Sequence, residues 1–182
     1  AAAPWQATAA SWSLIGSHDS ARIRTIVGDA GLVEVAAGLL FTMPGVPMVY
    51  AGDEIGLTGV NGEDARKPFP WHRPQTWDRR TFEAYRSLAA LRRDHDALRR
   101  GGLRWAHAHG DVLVFLRESA TERLLVFAAR APHEPVRLRA RGLGLDGAAA
   151  NVYGGAGPLR AGPDNHLTLP GDGPTFQVWQ LA

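Results

Sequence analysis

The sequence predicts two successive parts, an α/β part with parallel strands over residues 1–101 and an all-β antiparallel sandwich over residues 102–182. The first prediction depends on two apolar strand patterns that are separated by a nearly uncharged, Ala- and Leu-rich helical pattern. The second depends on short alternating patterns punctuated by Gly, Pro, Asp and Asn. The pair Gly101-Gly102 ends the last helical pattern and therefore supplies the boundary.

The elements of the first part are predicted in a strand, helix, strand order. The run WSLIGSH at residues 12–18 is typical of a buried strand, and residues 31–42 form an apolar helical pattern that Pro44 terminates. A β-branched and aromatic run, VPMVYAGDE at residues 46–54, predicts a second buried strand. This order with short links predicts a parallel pair joined by a right-handed crossover, with functional loops at the carboxyl ends of the strands.

A long polar loop and a second helix complete the first part. Residues 57–81 are rich in Pro and aromatic side chains, and irregular segments of this length are often functional. A helical stripe of apolar residues then predicts a helix over residues 81–99.

Seven short strands are predicted in the second part. The alternating residues Trp105, Phe115, Phe127 and Trp179 are interpreted as its core rather than as a sugar-binding platform. The strands are expected near residues 104–109, 111–119, 122–130, 134–141, 149–155, 166–170 and 175–182.

Composition restricts the kind of protein that this chain forms. Of its 182 residues 45% are hydrophobic and 21% are charged, which argues against disorder. The formal charge of +2 and the lack of a long apolar run predict neither nucleic acid nor a membrane as a partner. Zero cysteines exclude disulfides and thiolate metal sites. The first residues lack the pattern of a signal peptide, and the compartment stays open, with the cytoplasm slightly favoured.

Three motifs carry a resemblance to a known family. They are LIGSHDSARIRT at residues 14–25, PGVPMVYAGDEIGL at residues 44–57 and RKPFPW at residues 66–71. With them the chain resembles the α-amylase superfamily of glycoside hydrolases, in particular its neopullulanase, cyclomaltodextrinase and maltogenic-amylase branch. The resemblance implies that the first part is the last two strand-helix units of a TIM-type barrel, and that the substrates are α-glucans such as starch, maltodextrins or cyclodextrins.

The same resemblance implies roles for two neighbouring residues. Asp19 matches the carboxylate that stabilises the transition state, and His18 matches a residue that binds the same sugar. Ser17 stands where the family often has Asn. The family's nucleophile and its acid/base follow earlier strands and match no residue here. We therefore expect the isolated chain to be inactive, and to need a missing N-terminal barrel portion or another chain as its partner.

Further residues of the motifs have predicted positions at the rim. Asp53 and Glu54 are interpreted as structural, with Arg66 as the ion-pair partner of one of them, and Arg22 is a candidate for substrate binding. The role of one more group of residues stays open. Loop residues that could line a sugar groove, or simply pack at the rim, are Arg22, Asp64, Phe69 and Trp71.

Other interpretations remain open as well. His18-Asp19 could be a polar cap at a strand end, with Asp19 as a helix N-cap. The chain could also be a non-catalytic carbohydrate-binding or interaction module, or a regulatory or transporter-associated relative of the family. No cofactor is evident and no metal ligand is predicted, while calcium binding is left open.

Overall fold

The computed structural model describes residues 4–181. Its contacts divide the chain into two compact units, residues 1–90 and residues 91–182. The first unit begins with short helices and two strands, which are α1 (Trp5–Ala10), β1 (Trp12–Leu14), α2 (Ile23–Val27), α3 (Ala30–Thr42) and β2 (Val46–Met48). None of the helices described is both long and apolar enough to span a bilayer.

The two strands of the first unit are parallel, as predicted. Trp12 is paired with Val46 and Leu14 with Met48, so the carboxyl ends of both strands lie at one edge. The predicted helix over residues 31–42 is confirmed as α3. It begins where Asp29 accepts hydrogen bonds from the backbone N–H groups of Gly31 and Leu32, which also hold the pKa of the Asp29 carboxyl below its ordinary value.

The prediction that both strands are buried is wrong, and both are shorter than the predicted runs. β1 and β2 have only three residues each. Trp12, Leu14 and Val46 are all exposed large hydrophobic residues, with 73% of the Trp12 surface in contact with solvent. The physical reason is that, within residues 4–90, each of these strands has one neighbouring strand only.

The segment after β2 winds through three short 3-10 turns before the next helices. These turns are Asp53–Ile55, Asp64–Arg66 and Pro74–Thr76. The helix predicted over residues 81–99 is two helices, α4 (Arg79–Asp94) and α5 (Asp96–Arg100), because the backbone of His95 is extended.

The break at His95 has a cause in the second unit. The Glu122 carboxylate contacts the His95 ring through Nδ1 and accepts a hydrogen bond from the Ala97 backbone N–H at 3.0 Å. This carboxylate therefore stabilises the first turn of α5 while it holds His95 out of helical geometry.

Most of the second unit is an antiparallel sheet. After α5, its elements are β3 (Gly102–His109), β4 (Val112–Glu118), β5 (Arg123–Ala129), β6 (Val136–Arg139), α6 (Ala140–Leu143), β7 (Ala148–Tyr153), β8 (Leu159–Arg160), β9 (His166–Leu169) and β10 (Thr175–Leu181). The six strands of the sheet have the order β3-β4-β5-β10-β7-β8, and β6 and β9 form a separate antiparallel pair. The seven predicted strands are present with shifted ends, while the strand β8 and the helix α6 were not predicted.

One face of the large sheet and the β6–β9 pair enclose a hydrophobic core. Phe127 and Trp179 are buried in it, together with Leu138 from β6 and Leu167 from β9. Phe115 is also buried, on the opposite face of the sheet, whereas Trp105 is exposed and packs edge-on against Phe115. The prediction of Trp105 as a core residue is therefore wrong, because it lies on the edge strand β3.

The boundary between the two units lies inside α4, before the predicted boundary at Gly101-Gly102. The helix α5 packs on β4 and so belongs to the second unit. The antiparallel strands themselves begin at Gly102.

We predict that Glu122→Gln lowers the free energy of unfolding by about 1–2 kcal/mol, because the charged acceptor of the α5 N-terminus and of His95 is lost. The measurement is urea denaturation followed by circular dichroism. Glu83→Gln is the matched control, since Glu83 forms an exposed ion pair with Arg86 on α4 and is expected to change stability by less than about 0.5 kcal/mol. Equal effects of the two variants would contradict the role of Glu122.

Candidate functional site

His18 and Asp19 follow β1 at the carboxyl edge of the parallel pair. Their side chains are 66% and 73% exposed, and Nε2 of His18 lies 3.3 Å from Oδ2 of Asp19. The backbone here is held by two serines, because Ser17 Oγ accepts a hydrogen bond from the Asp19 N–H and Ser20 Oγ accepts one from the Ser17 N–H. An acidic and an imidazole side chain are thus presented to solvent on a fixed turn.

Arg66, on the second 3-10 turn, contacts both residues. Its Nη2 donates to Oδ1 of Asp19 at 3.3 Å, and its Nε donates to the His18 carbonyl at 3.1 Å. Gly62 brings the same loop close, since a Cβ at this position would lie 3.0 Å from the His18 carbonyl oxygen and 3.1 Å from the Asp19 Cα. Asp19 therefore has a cation on one oxygen and an imidazole on the other.

Arg22 lies beneath this surface, and its side chain is only 1% exposed. Its guanidinium donates to the Ala65 carbonyl through Nε and Nη2, and to the Ala51 carbonyl and Oδ1 of Asp53 through Nη1, all at 2.7–3.0 Å. It also stacks over the Tyr50 ring, with Cζ 4.1 Å from the ring centroid. Each nitrogen of the guanidinium thus has an acceptor within the protein.

Asp53 is equally buried and contacts two segments. One carboxylate oxygen accepts from Arg22, while Oδ2 faces the backbone of Gly16 and has no hydrogen-bond partner in the structure. Burial raises the pKa of the Asp53 carboxyl above its ordinary value, and the Arg22 guanidinium opposes this shift. Glu54 accepts the Gly52 N–H at 2.7 Å and so closes the turn after β2.

Two of the predicted contacts are corrected by these distances. Arg66 does not pair with Asp53 or Glu54, because its guanidinium is directed to Asp19 and the His18 carbonyl. Arg22 does not face a substrate groove, because its guanidinium is buried against Asp53 and backbone carbonyls. The Arg22–Asp53 pair was not predicted. The one sequence signal for this pair lies in the neighbours of Arg22. Arg22 stands between the apolar residues Ala21 and Ile23, as is typical of a buried position, whereas Arg66 is followed by the charged residue Lys67.

The remaining loop residues lie in two places. Asp64 accepts from the Val60 N–H and pairs with Lys67 at 3.0 Å, and these contacts lower the pKa of its carboxyl. Phe69 and Trp71 stack on each other farther along the loop. Among residues 4–181, no group of three or more His, Asp or Glu side chains is arranged to hold a metal ion.

Comparison with known proteins gives one family. Residues 2–110 match the family model for the α-amylase catalytic domain. A cyclomaltodextrinase from Geobacillus thermopakistaniensis is 34% identical over 145 residues, which are 76% of this chain and 24% of that protein. Neopullulanase 2 from Thermoactinomyces vulgaris is 37% identical over 106 residues, which are 58% of this chain and 18% of that protein. The chain thus spans about a quarter or less of the length of these curated relatives.

A solved structure extends the likeness to nearly the whole chain. The debranching enzyme from Nostoc punctiforme, in its native form, is 30% identical with a TM-score of 0.82. The match covers 97% of this chain and 36% of that one.

We predict that Arg22→Ala lowers the free energy of unfolding by about 3–5 kcal/mol, because it leaves Asp53 buried without its cation. The matched control is Arg66→Ala, which removes an exposed arginine from the same loop region and is expected to cost less than about 1 kcal/mol. Urea denaturation measures both. Similar losses for the two variants would show that burial does not distinguish these arginines.

Proposed function

The chain belongs to the α-amylase family of glycoside hydrolases, and we propose that it is the C-terminal part of a retaining enzyme that cleaves α-glucosidic linkages. The proposed substrates are α-glucans of the starch, maltodextrin or cyclodextrin type. We further propose that residues 1–101 form the last two strand-helix units of a TIM-type barrel, and that residues 102–182 form a C-terminal sandwich. The parallel β1–β2 pair and the antiparallel sheet that begins at Gly102 support this division.

The observation that carries the proposal is the exposed His18-Asp19 pair, held by Arg66 at the carboxyl edge of the parallel strands. Active sites of parallel barrels lie at this edge. A carboxylate held in place by a cation and an imidazole is suited to stabilise positive charge that develops on the sugar in an oxocarbenium-like transition state. We propose that Asp19 has this role and that His18 binds the same sugar.

The bond-breaking pair is a separate requirement. A retaining mechanism needs a nucleophilic carboxylate and a carboxylic acid roughly 5 Å apart on either side of the scissile bond. Asp53 is unsuited to either role because it is buried against Arg22, and Glu54 is engaged by the Gly52 N–H. We propose that both catalytic groups are supplied by an N-terminal barrel portion or by another chain, and that Asp53 and Glu54 maintain the rim.

We predict that Asp19→Asn in the complete enzyme lowers kcat by at least about a hundredfold, while substrate Kd changes by less than about threefold, because its charge acts mainly in the transition state. Steady-state kinetics on maltoheptaose and equilibrium binding measure the two quantities. Glu83→Gln, which removes an exposed carboxylate on α4, is the control and is expected to leave both unchanged. An unaltered kcat in Asp19→Asn would refute the proposed role.

We also predict that the purified 182-residue chain releases no reducing sugar from maltoheptaose or β-cyclodextrin, because it is proposed to lack both bond-breaking carboxylates. A colorimetric reducing-sugar assay tests this. Release that persists after repurification, and that Asp19→Asn abolishes, would show that the chain carries a complete catalytic centre.

A further inference from the structure

Four aromatic side chains form a cluster on the loop between β2 and α4 and on the first turns of α4. The rings of Phe69 and Trp71 lie 4.1 Å apart at 31°, and Trp77 packs edge-on against both at 5.5 and 6.3 Å. Phe82 supports Trp77 from α4 at 5.6 Å. Trp71 is the outermost member, with 73% of its surface exposed.

The loop backbone holds the Trp71 ring in place. Pro68, Pro70 and Pro74 restrict the chain on both sides of it. The Trp71 N–H donates to the Phe69 carbonyl at 2.9 Å, and Nε1 of Trp77 donates to the Pro70 carbonyl at 3.4 Å. One face of the indole is backed by Phe69, so an exposed apolar ring is held on a preformed support.

This cluster and the candidate site share one loop. Arg66, which contacts Asp19 and His18, precedes Trp71 by five residues, and a fully extended chain of this length spans at most about 18 Å. A glucan chain of several units that is bound at Asp19 is therefore long enough to reach Trp71. The contacts of Asp19 are polar and those of Trp71 are aromatic, so the two offer different kinds of contact to a bound glucan chain.

We propose that Trp71 is a stacking platform for a distal glucose unit of an α-glucan whose reacting unit lies at Asp19. The inference rests on the proposed function and adds a binding contact to it. The apolar face of a pyranose ring fits an exposed indole, and a ring that is already held by Phe69 and Trp77 loses little conformational freedom on binding.

The proposal predicts a dependence on substrate length. Trp71→Ala in the complete enzyme is expected to lower kcat/KM about tenfold for maltoheptaose and less than about twofold for maltotriose, because only the longer chain reaches the platform. Trp71→Phe keeps a flat ring and is expected to restore most of the loss. Trp105→Ala is the control, since Trp105 is also exposed and also packs against a phenylalanine, but lies in the second unit.

Two further measurements make the result decisive. Binding of maltoheptaose in the Asp19→Asn background should weaken when Trp71→Ala is added, and the melting temperature of Trp71→Ala should stay close to that of the parent.

Equal losses of kcat/KM for maltoheptaose and maltotriose, or an unchanged kcat/KM for maltoheptaose, would contradict the proposed stacking at Trp71. A lowered melting temperature with equal losses would show instead that Trp71 packs under another part of the enzyme. If Asp19→Asn retains full turnover, the proposed function fails, independently of the length dependence at Trp71.

Discussion

The ion pair between Arg22 and Asp53 is the contact on which the candidate site depends. Arg22 follows β1, Asp53 follows β2, and the Ala65 carbonyl that Arg22 also binds belongs to the long loop. One guanidinium thus joins the three segments that surround His18-Asp19. Because both charges are buried, removing either partner is costly, and the segments are held more firmly than an exposed pair would hold them.

The two arginines near the candidate site have different roles in this arrangement. Arg22 is buried and organises the backbone, whereas Arg66 is exposed and contacts the side chain of Asp19. The sequence interpretation assigned these positions the other way round, with Arg66 at the rim acids and Arg22 toward the substrate. Both arginines lie on loops at the same edge, and the apolar neighbours of Arg22 are the one local signal that distinguishes them. The packing of residues 51–65 around Arg22 decides which one is covered.

Local patterns were sufficient for much of the fold, and tertiary contacts explain the rest. The Ala- and Leu-rich pattern predicted α3, and alternation predicted seven strands of the second unit, since these signals lie within single elements. The break at His95 depends on Glu122, which is distant in sequence, so the helical stripe alone could not show it. Asp19 and His18 were found through motif likeness, while their contact with Arg66 became visible only in the folded loop.

The close approach of Gly62 to the backbone of His18 and Asp19 has an evolutionary consequence. Any side chain at position 62 would press on the turn that presents the acid, with a Cβ only 3.0 Å from the His18 carbonyl oxygen. A Cβ at Gly16 would likewise lie too close to the Asp53 carboxylate. Few substitutions at these two positions are therefore tolerated. Sequence variation among descendants of this sequence should accumulate instead at exposed positions such as Val60.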